Sequence, residues 1–204
     1  MNTMKAFAGT LLAAGTVAQA IEQPKYSVVQ TAGAFEVRQY APYVVAEVVV
    51  PGPAIDAGNQ AFPILAGYIF GKNKGERKFD MTAPVTQMAL AAPVKLAMTA
   101  PVTQSAVDDK YLVQFMMPSA VPLAALPEPL DARVKLREVP GQRLAVITYS
   151  GTWSQSNYDE HLDKLKQALA QAGIGVQGEP VYSRYDAPFT PWFLRTNEIW
   201  FKLL

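Results

Sequence analysis

The stretch Val37-Arg38-Gln39-Tyr40-Ala41-Pro42-Tyr43-Val44-Val45-Ala46-Glu47-Val48-Val49-Val50-Pro51-Gly52 decides the fold, because its plan returns later as Leu136-Arg137-Glu138-Val139-Pro140-Gly141-Gln142-Arg143-Leu144-Ala145-Val146-Ile147-Thr148-Tyr149-Ser150-Gly151. At an offset of 99 residues Arg38 meets Arg137, Ala46 meets Ala145 and Gly52 meets Gly151. Three identities are weak alone. The order of elements is stronger, since each copy reads strand, proline-containing turn, strand, glycine and then helix. A duplication of this kind predicts an internal pseudo-twofold. We therefore expect an α+β fold of two β-rich halves with one helix each, sharing a single antiparallel sheet or distorted barrel.

Working outward, Tyr26 to Val29 reads as a strand closed by the turn Thr31-Ala32-Gly33. Ala54 to Phe70 reads as a helix that Gly71 ends. Ile55, Phe62, Leu65, Ala66 and Ile69 form one apolar stripe; Ala57, Ala61, Ile64 and Tyr68 form a second, roughly 100° around the wheel. That face is wider than one core contact needs. It either packs on the segments around Met81 and Met98 or lines a groove for a flat apolar ligand, which Met81, Met88 and Met98 would suit. Pro63 predicts a kink, or a late helix start near Gln60. Lys72 to Glu76 is a polar loop.

Met81-Thr82-Ala83-Pro84-Val85-Thr86-Gln87 recurs 17 residues on as Met98-Thr99-Ala100-Pro101-Val102-Thr103-Gln104. Two copies do not make an array, and the prolines predict edge strands or ordered loops. Further on, Tyr111 to Met117 reads as a strand and Pro118 to Pro129 as irregular. Val134 to Val139 and Leu144 to Tyr149 read as a hairpin around Pro140-Gly141. Gln155 to Ala172 is an amphipathic helix with Tyr158, Leu162, Leu165 and Leu169 on one face and Gly173 at its end. Pro180 to Tyr185 and Ile199 to Leu203 read as strands, with an aromatic, proline-rich loop from Ala187 to Phe193 between them.

The first twenty residues have the form of an export signal: Lys5, an apolar run from Ala6 to Val17, and the small-x-small site Ala18-Gln19-Ala20. We expect cleavage after Ala20, a single domain over residues 21–204, and a periplasmic or secreted protein. No other apolar run is long enough to span a bilayer. With 18 basic and 17 acidic residues, nothing in the charge favours nucleic acid or an anionic membrane as partner. The absence of cysteine excludes disulfides, thiolate metal sites and cysteine nucleophiles.

No nucleotide-binding glycine loop, serine-hydrolase elbow or zinc-protease helix is present. Scattered carboxylates such as Glu36, Asp80, Glu138 and Asp159 do not pair at an acid/base spacing. His161, the sole histidine, lies at the edge of the second helix's apolar stripe. It reads either as a half-exposed helix residue or as an axial ligand or base. Lys72, Lys74, Arg77 and Lys78 cluster after the first helix, as a solvated loop or as partners for ligand carboxylates.

The run Tyr68-Ile69-Phe70-Gly71-Lys72-Asn73-Lys74, followed by Met81-Thr82-Ala83-Pro84-Val85, resembles the signature of the SOUL/haem-binding family. So do Lys95 to Val102, Tyr185-Asp186-Ala187-Pro188-Phe189, and Arg195 to Trp200. The resemblance spans about Tyr26 to Leu203. It implies a distorted antiparallel β-barrel of two pseudo-twofold-related halves, each with one flanking helix, an architecture similar to bacterial effector-binding domains for small apolar cations.

It also implies haem or another porphyrin as ligand, held in an apolar groove beside the first helix. Matching the family places Ala61, Ile64, Leu65 and Tyr68 on that helix and Lys72 and Lys74 in the loop after it; Met81 and Met98 join these candidates from the reading of the wide apolar face. Lys72, Lys74 or Arg77 would meet the propionates. The N-terminal histidine assigned as iron ligand in some members does not carry over, since no histidine stands near Tyr40. That leaves ligand-poor apolar binding, His161, or a tyrosine such as Tyr68. The other readings are an enzyme that strips metal from a tetrapyrrole or degrades it, and a binding module for other apolar or cationic small molecules.

Overall fold

A computed structural model describes residues 21–90, 110–187 and 189–204. The expected export signal, Met98 and the second Met-Thr-Ala-Pro copy lie outside them. The strands are β1 (Tyr26–Ala32), β2 (Phe35–Tyr40), β3 (Tyr43–Pro51), β4 (Val85–Ala89), β5 (Lys110–Met116), β6 (Lys135–Val139), β7 (Gln142–Tyr149), β8 (Val176–Arg184) and β9 (Asn197–Leu203). The helices are α1 (Ala54–Ile69) and α2 (Gln155–Gln171). All strand pairs are antiparallel, in the order β1-β2-β7-β9-β8-β4-β5-β3-β6.

The duplicated stretches pair with each other. Tyr40 faces Gln142 on β2–β7, and Tyr43 faces Val139 on β3–β6. One register therefore runs through both proline-containing turns, and two bent strands form a ribbon across the molecule. One end of the ribbon continues through β9 and the other through β5. The sheet thus curls back on itself as the expected distorted barrel, with the pseudo-twofold passing between the turns. The turns touch closely: a Cβ on Gly141 would stand 3.1 Å from the Tyr40 carbonyl oxygen. The expected hairpin from Val134 to Tyr149 is corrected here. β6 and β7 are consecutive but do not pair, because each finds its partner in the other half.

The Pro84 segment also differs from expectation. β4 lies in the sheet interior between β8 and β5. Pro84 is tolerated because it precedes the strand, after a cis Ala83–Pro84 bond, and so removes no ladder donor. Similarly, α1 starts at Ala54 and carries Pro63 within it, rather than starting late.

Each helix covers one half. α1 packs mainly on β3 and β5, and α2 on β7 and β9. The first core joins Ala46, Val48 and Val50 to Ala57, Ala61, Leu65, Tyr68, Ile69 and Phe115. The second joins Phe35, Val37, Ala145 and Ile147 to Leu165, Leu169, Ile199 and Phe201. Strand alternation turns the intervening residues to the opposite face. There Trp200 packs with Tyr40, Leu144 and Val146. The two arginines related by the repeat each hold a glutamate on that face. Arg38 Nη1 lies 2.8 Å from Glu198, with both side chains buried, and Arg137 Nη2 lies 3.0 Å from Glu47 in a more open setting.

Candidate functional site

α1 is amphipathic with a broad apolar face, and that breadth is almost wholly spent on packing. Ala57, Ala61 and Leu65 are fully buried against the sheet. On its other flank the chain after the helix folds back: the Phe79 amide donates to Ile69 O at 2.9 Å, and the Phe79 ring stacks on Tyr68 at 6.0 Å. Ala61 and Leu65, expected in a ligand groove, therefore belong to the core. The helix is contacted from two sides, which its periodicity does not reveal.

What remains open is the outer edge of the C-terminal half of α1. Pro63, Ile64, Tyr68, Lys72, Asp131 and Arg133 line a groove of about 310 Å³. A second hollow of about 510 Å³, lined by Lys74, Glu128 to Ala132 and Val134 to Leu136, adjoins it through Asp131. Ile64 is half-buried, and Leu130 in the adjoining hollow is 62% exposed. The floor is apolar and the rim is charged.

The loop from Lys72 to Lys78 is held by Asn73, which is buried. Its Nδ2 donates to Tyr68 O at 2.9 Å and Arg77 O at 2.7 Å, while its Oδ1 accepts from the Arg77 amide at 3.0 Å. The Lys74 amide donates to Glu128 O and the Leu130 amide to Lys72 O. This lattice fixes Lys72 at the groove mouth, where its ammonium makes no ion pair among the described residues. Lys74 instead pairs with Glu128. Arg77 donates to Ala125 O and covers the Phe79 ring at 5.0 Å, so it is turned to the loop.

Asp131 and Arg133 were not legible in the sequence as site residues, since they arrive from an irregular segment. Arg133 Nη2 donates to Asp131 Oδ2 at 2.6 Å. Hydrogen bonds from Arg133 hold the Asp131 carboxyl down to about 2, so this pair is charged at neutral pH.

Two candidate iron ligands are placed differently. Tyr68 is buried, and its hydroxyl donates to Pro127 O at 2.9 Å. Burial pushes that hydroxyl up to about 12, which opposes a phenolate. His161 lies on α2 in the other half and does not line the groove. Its ring stacks on Tyr149 at 4.1 Å, and Nδ1 lies 2.8 Å from Asn157 O, an arrangement that suits an Nδ1–H donor. Met81 is half-buried and packs against the first core. The structure thus brings together Ile64, Tyr68 and Lys72, and leaves Ala61, Leu65, Lys74, Met81 and His161 in other settings. Among the described residues no cluster of three metal-ligating side chains occurs.

A family model described as SOUL heme-binding protein matches residues 21–202. The chain is 29% identical over 190 residues to heme-binding protein 2 of Homo sapiens, covering 90% of this chain and 86% of that protein. It is 27% identical over 150 residues to heme-binding protein 1 of Mus musculus, covering 72% of each. Among solved structures, the EcmrR C-terminal domain is similar in fold, with a TM-score of 0.59 at 11% identity, covering 88% of this chain and 98% of that one. An uncharacterized conserved protein from Listeria innocua also has a TM-score of 0.59 at 11% identity, covering 91% and 94%.

Proposed function

The chain belongs to the SOUL heme-binding protein family, and from that premise we propose that it binds haem or a related tetrapyrrole in the groove beside α1. The observation that carries the reading is one of placement. Ile64, half-buried at the edge of the first core, opens on its outer side beside the cations Lys72 and Arg133. A porphyrin has the matching chemistry, a flat apolar body with two carboxylates on one edge. Ile64, Pro63 and Leu130 would meet the ring, and apolar burial would contribute roughly 25 cal/mol per Å². Lys72 and Arg133 would meet the propionates through charge-assisted hydrogen bonds.

Among the described residues, neither tyrosine nor histidine offers a free iron ligand at the groove. Tyr68 has its hydroxyl committed to Pro127, and His161 is on the far helix. In this reading binding would be hydrophobic and electrostatic. We also propose that the protein is exported and acts in the periplasm or outside the cell. The Lys5, apolar-run and Ala18-Gln19-Ala20 pattern supports this, as does the family match beginning at residue 21.

Titrating residues 21–204 with hemin and following the Soret band tests the reading. A saturable shift at micromolar protein is expected. Lys72→Glu combined with Arg133→Glu should raise the Kd by about a hundredfold or more, since each lost charged hydrogen bond is worth roughly 1.5–3 kcal/mol when well formed. His161→Ala should leave the ferric spectrum unchanged. Absence of a saturable shift in the wild type would sink the proposal.

A further inference from the structure

A second concave site lies on the helix side of the sheet, away from the groove. α1 covers β3 and β5 and α2 covers β7 and β9. The neighbouring central strands β4 and β8 are left as the floor of a cleft of about 200 Å³, which opens where Ala54 starts α1 and Ser154 caps α2. Its working surfaces are Gln87, Tyr111, Trp153, Tyr158, Tyr182 and Arg184. None of these lines the α1 groove.

Three features show a site prepared for a ligand. Gln87 is 9% exposed, and its Nε2 donates to Ala54 O at 2.7 Å; that fixes the amide and leaves Oε1 a buried acceptor without a partner. The Arg184 guanidinium lies 4.9 Å from the ring centroids of both Trp153 and Tyr182, and among the described residues it makes no ion pair, with Glu179, which also lines the cleft, more than 4.0 Å away. Gly58 makes room for it, since a Cβ there would stand 3.1 Å from Nη1. The aromatic walls are preset: Trp153 Nε1 donates to Asn197 Oδ1 at 2.9 Å, and the Tyr158 and Tyr182 rings meet at 5.1 Å. Two helix N-termini add positive potential at the mouth, and the α1 end has no side-chain cap.

We propose that this cleft binds a planar aromatic carboxylate of one or two rings that carries an N–H or O–H donor. The carboxylate meets Arg184, the ring stacks among Trp153, Tyr158 and Tyr182, and the donor satisfies Gln87 Oε1. The volume of about 200 Å³ suits one or two rings, and the cleft shares no lining residue with the proposed haem groove, so the two sites are separate.

Indole-3-carboxylate is the probe, measured by calorimetry on residues 21–204 against its neutral carboxamide and the cation 3-(aminomethyl)indole. One-site binding with a Kd below about 1 mM is expected, an affinity modest for a ligand of this size. The carboxylate should be preferred to both analogues. Arg184→Gln should weaken the carboxylate about tenfold and the carboxamide little. Gln87→Leu should remove the advantage of indole-3-carboxylate over benzothiophene-3-carboxylate, which lacks the N–H. Lys72→Glu/Arg133→Glu should change nothing, which separates this site from the haem reading. No binding at 1 mM, preference for the cation, insensitivity to Arg184→Gln in a folded variant, or loss in the groove variant would each overturn the proposal.

Discussion

Glu198 is buried on the inner face and has both oxygens fully engaged. Oε1 accepts from Arg38 Nη1 at 2.8 Å and Thr148 Oγ1 at 3.0 Å, and Oε2 from Tyr185 Oη at 2.5 Å and Trp200 Nε1 at 2.7 Å. A buried charge so satisfied is tolerable, but it becomes costly once its counter-charge goes. Arg38→Met should therefore destabilise by about 3–5 kcal/mol in urea unfolding, well beyond a typical surface change. Arg38 was visible in the sequence as one of three identities in the repeat, yet its partner Glu198 was not, because 160 residues separate them. Tyrosine titration gives a second check at this scale. Burial pushes Tyr68 and Tyr158 up to about 12, the latter helped by neighbouring acidic groups, and burial also raises Tyr40, Tyr149 and Tyr185. The fold thus prefers the neutral phenol. The resulting stability is fully present below about pH 10, the unfolded value, and is lost as pH rises through 12. Ionisation of Tyr40, Tyr68, Tyr149, Tyr158 and Tyr185 should lag in the native protein and appear together with loss of circular dichroism; ionisation of these five near 10 in the folded protein would contradict this.

Among elements, the crossing of the two proline-containing turns carries the symmetry. Gly141 permits it by close approach to backbone, which cannot move aside as a flexible side chain could. Gly141→Ala should cost roughly 1–3 kcal/mol as overpacking, read as a lower thermal midpoint with the sheet signal retained; an unchanged midpoint would mean the turns are looser than 3.1 Å implies. The strands on either side of Pro42 and Pro140 were legible from alternation and β-branching, but their partners were not. Periodicity reports which face a residue takes, and nothing local tells β6 to pair with β3 rather than β7. The same limit explains β4, where the proline marks the entrance to an interior strand. It also explains α1, whose two stripes are read correctly as apolar while Ala61 and Leu65 are buried against the sheet and Tyr68 is covered by the returning chain at Phe79.

For the whole molecule, the duplicated order of elements was enough to give the α+β class and the pseudo-twofold, because duplication is a property of the chain itself. The groove was only half legible. Its helix side, Ile64, Tyr68 and Lys72, follows from pattern and family motif, whereas Asp131 and Arg133 come from an irregular segment after Pro129 that carries no periodic signal. Since Asp131 occupies one side of Arg133, Asp131→Asn should free the guanidinium and tighten hemin binding a few-fold in the Soret titration; weaker binding would show that the carboxylate itself organises the groove. The location of the ligand is the central claim, and ferric iron reports it directly through paramagnetic broadening of amide NMR signals. On adding hemin to residues 21–204, broadening should centre on residues 62–74 and 128–136 and spare α2 and the Trp153 cleft. Broadening centred on α2, around His161, or spread evenly over the surface would contradict the account.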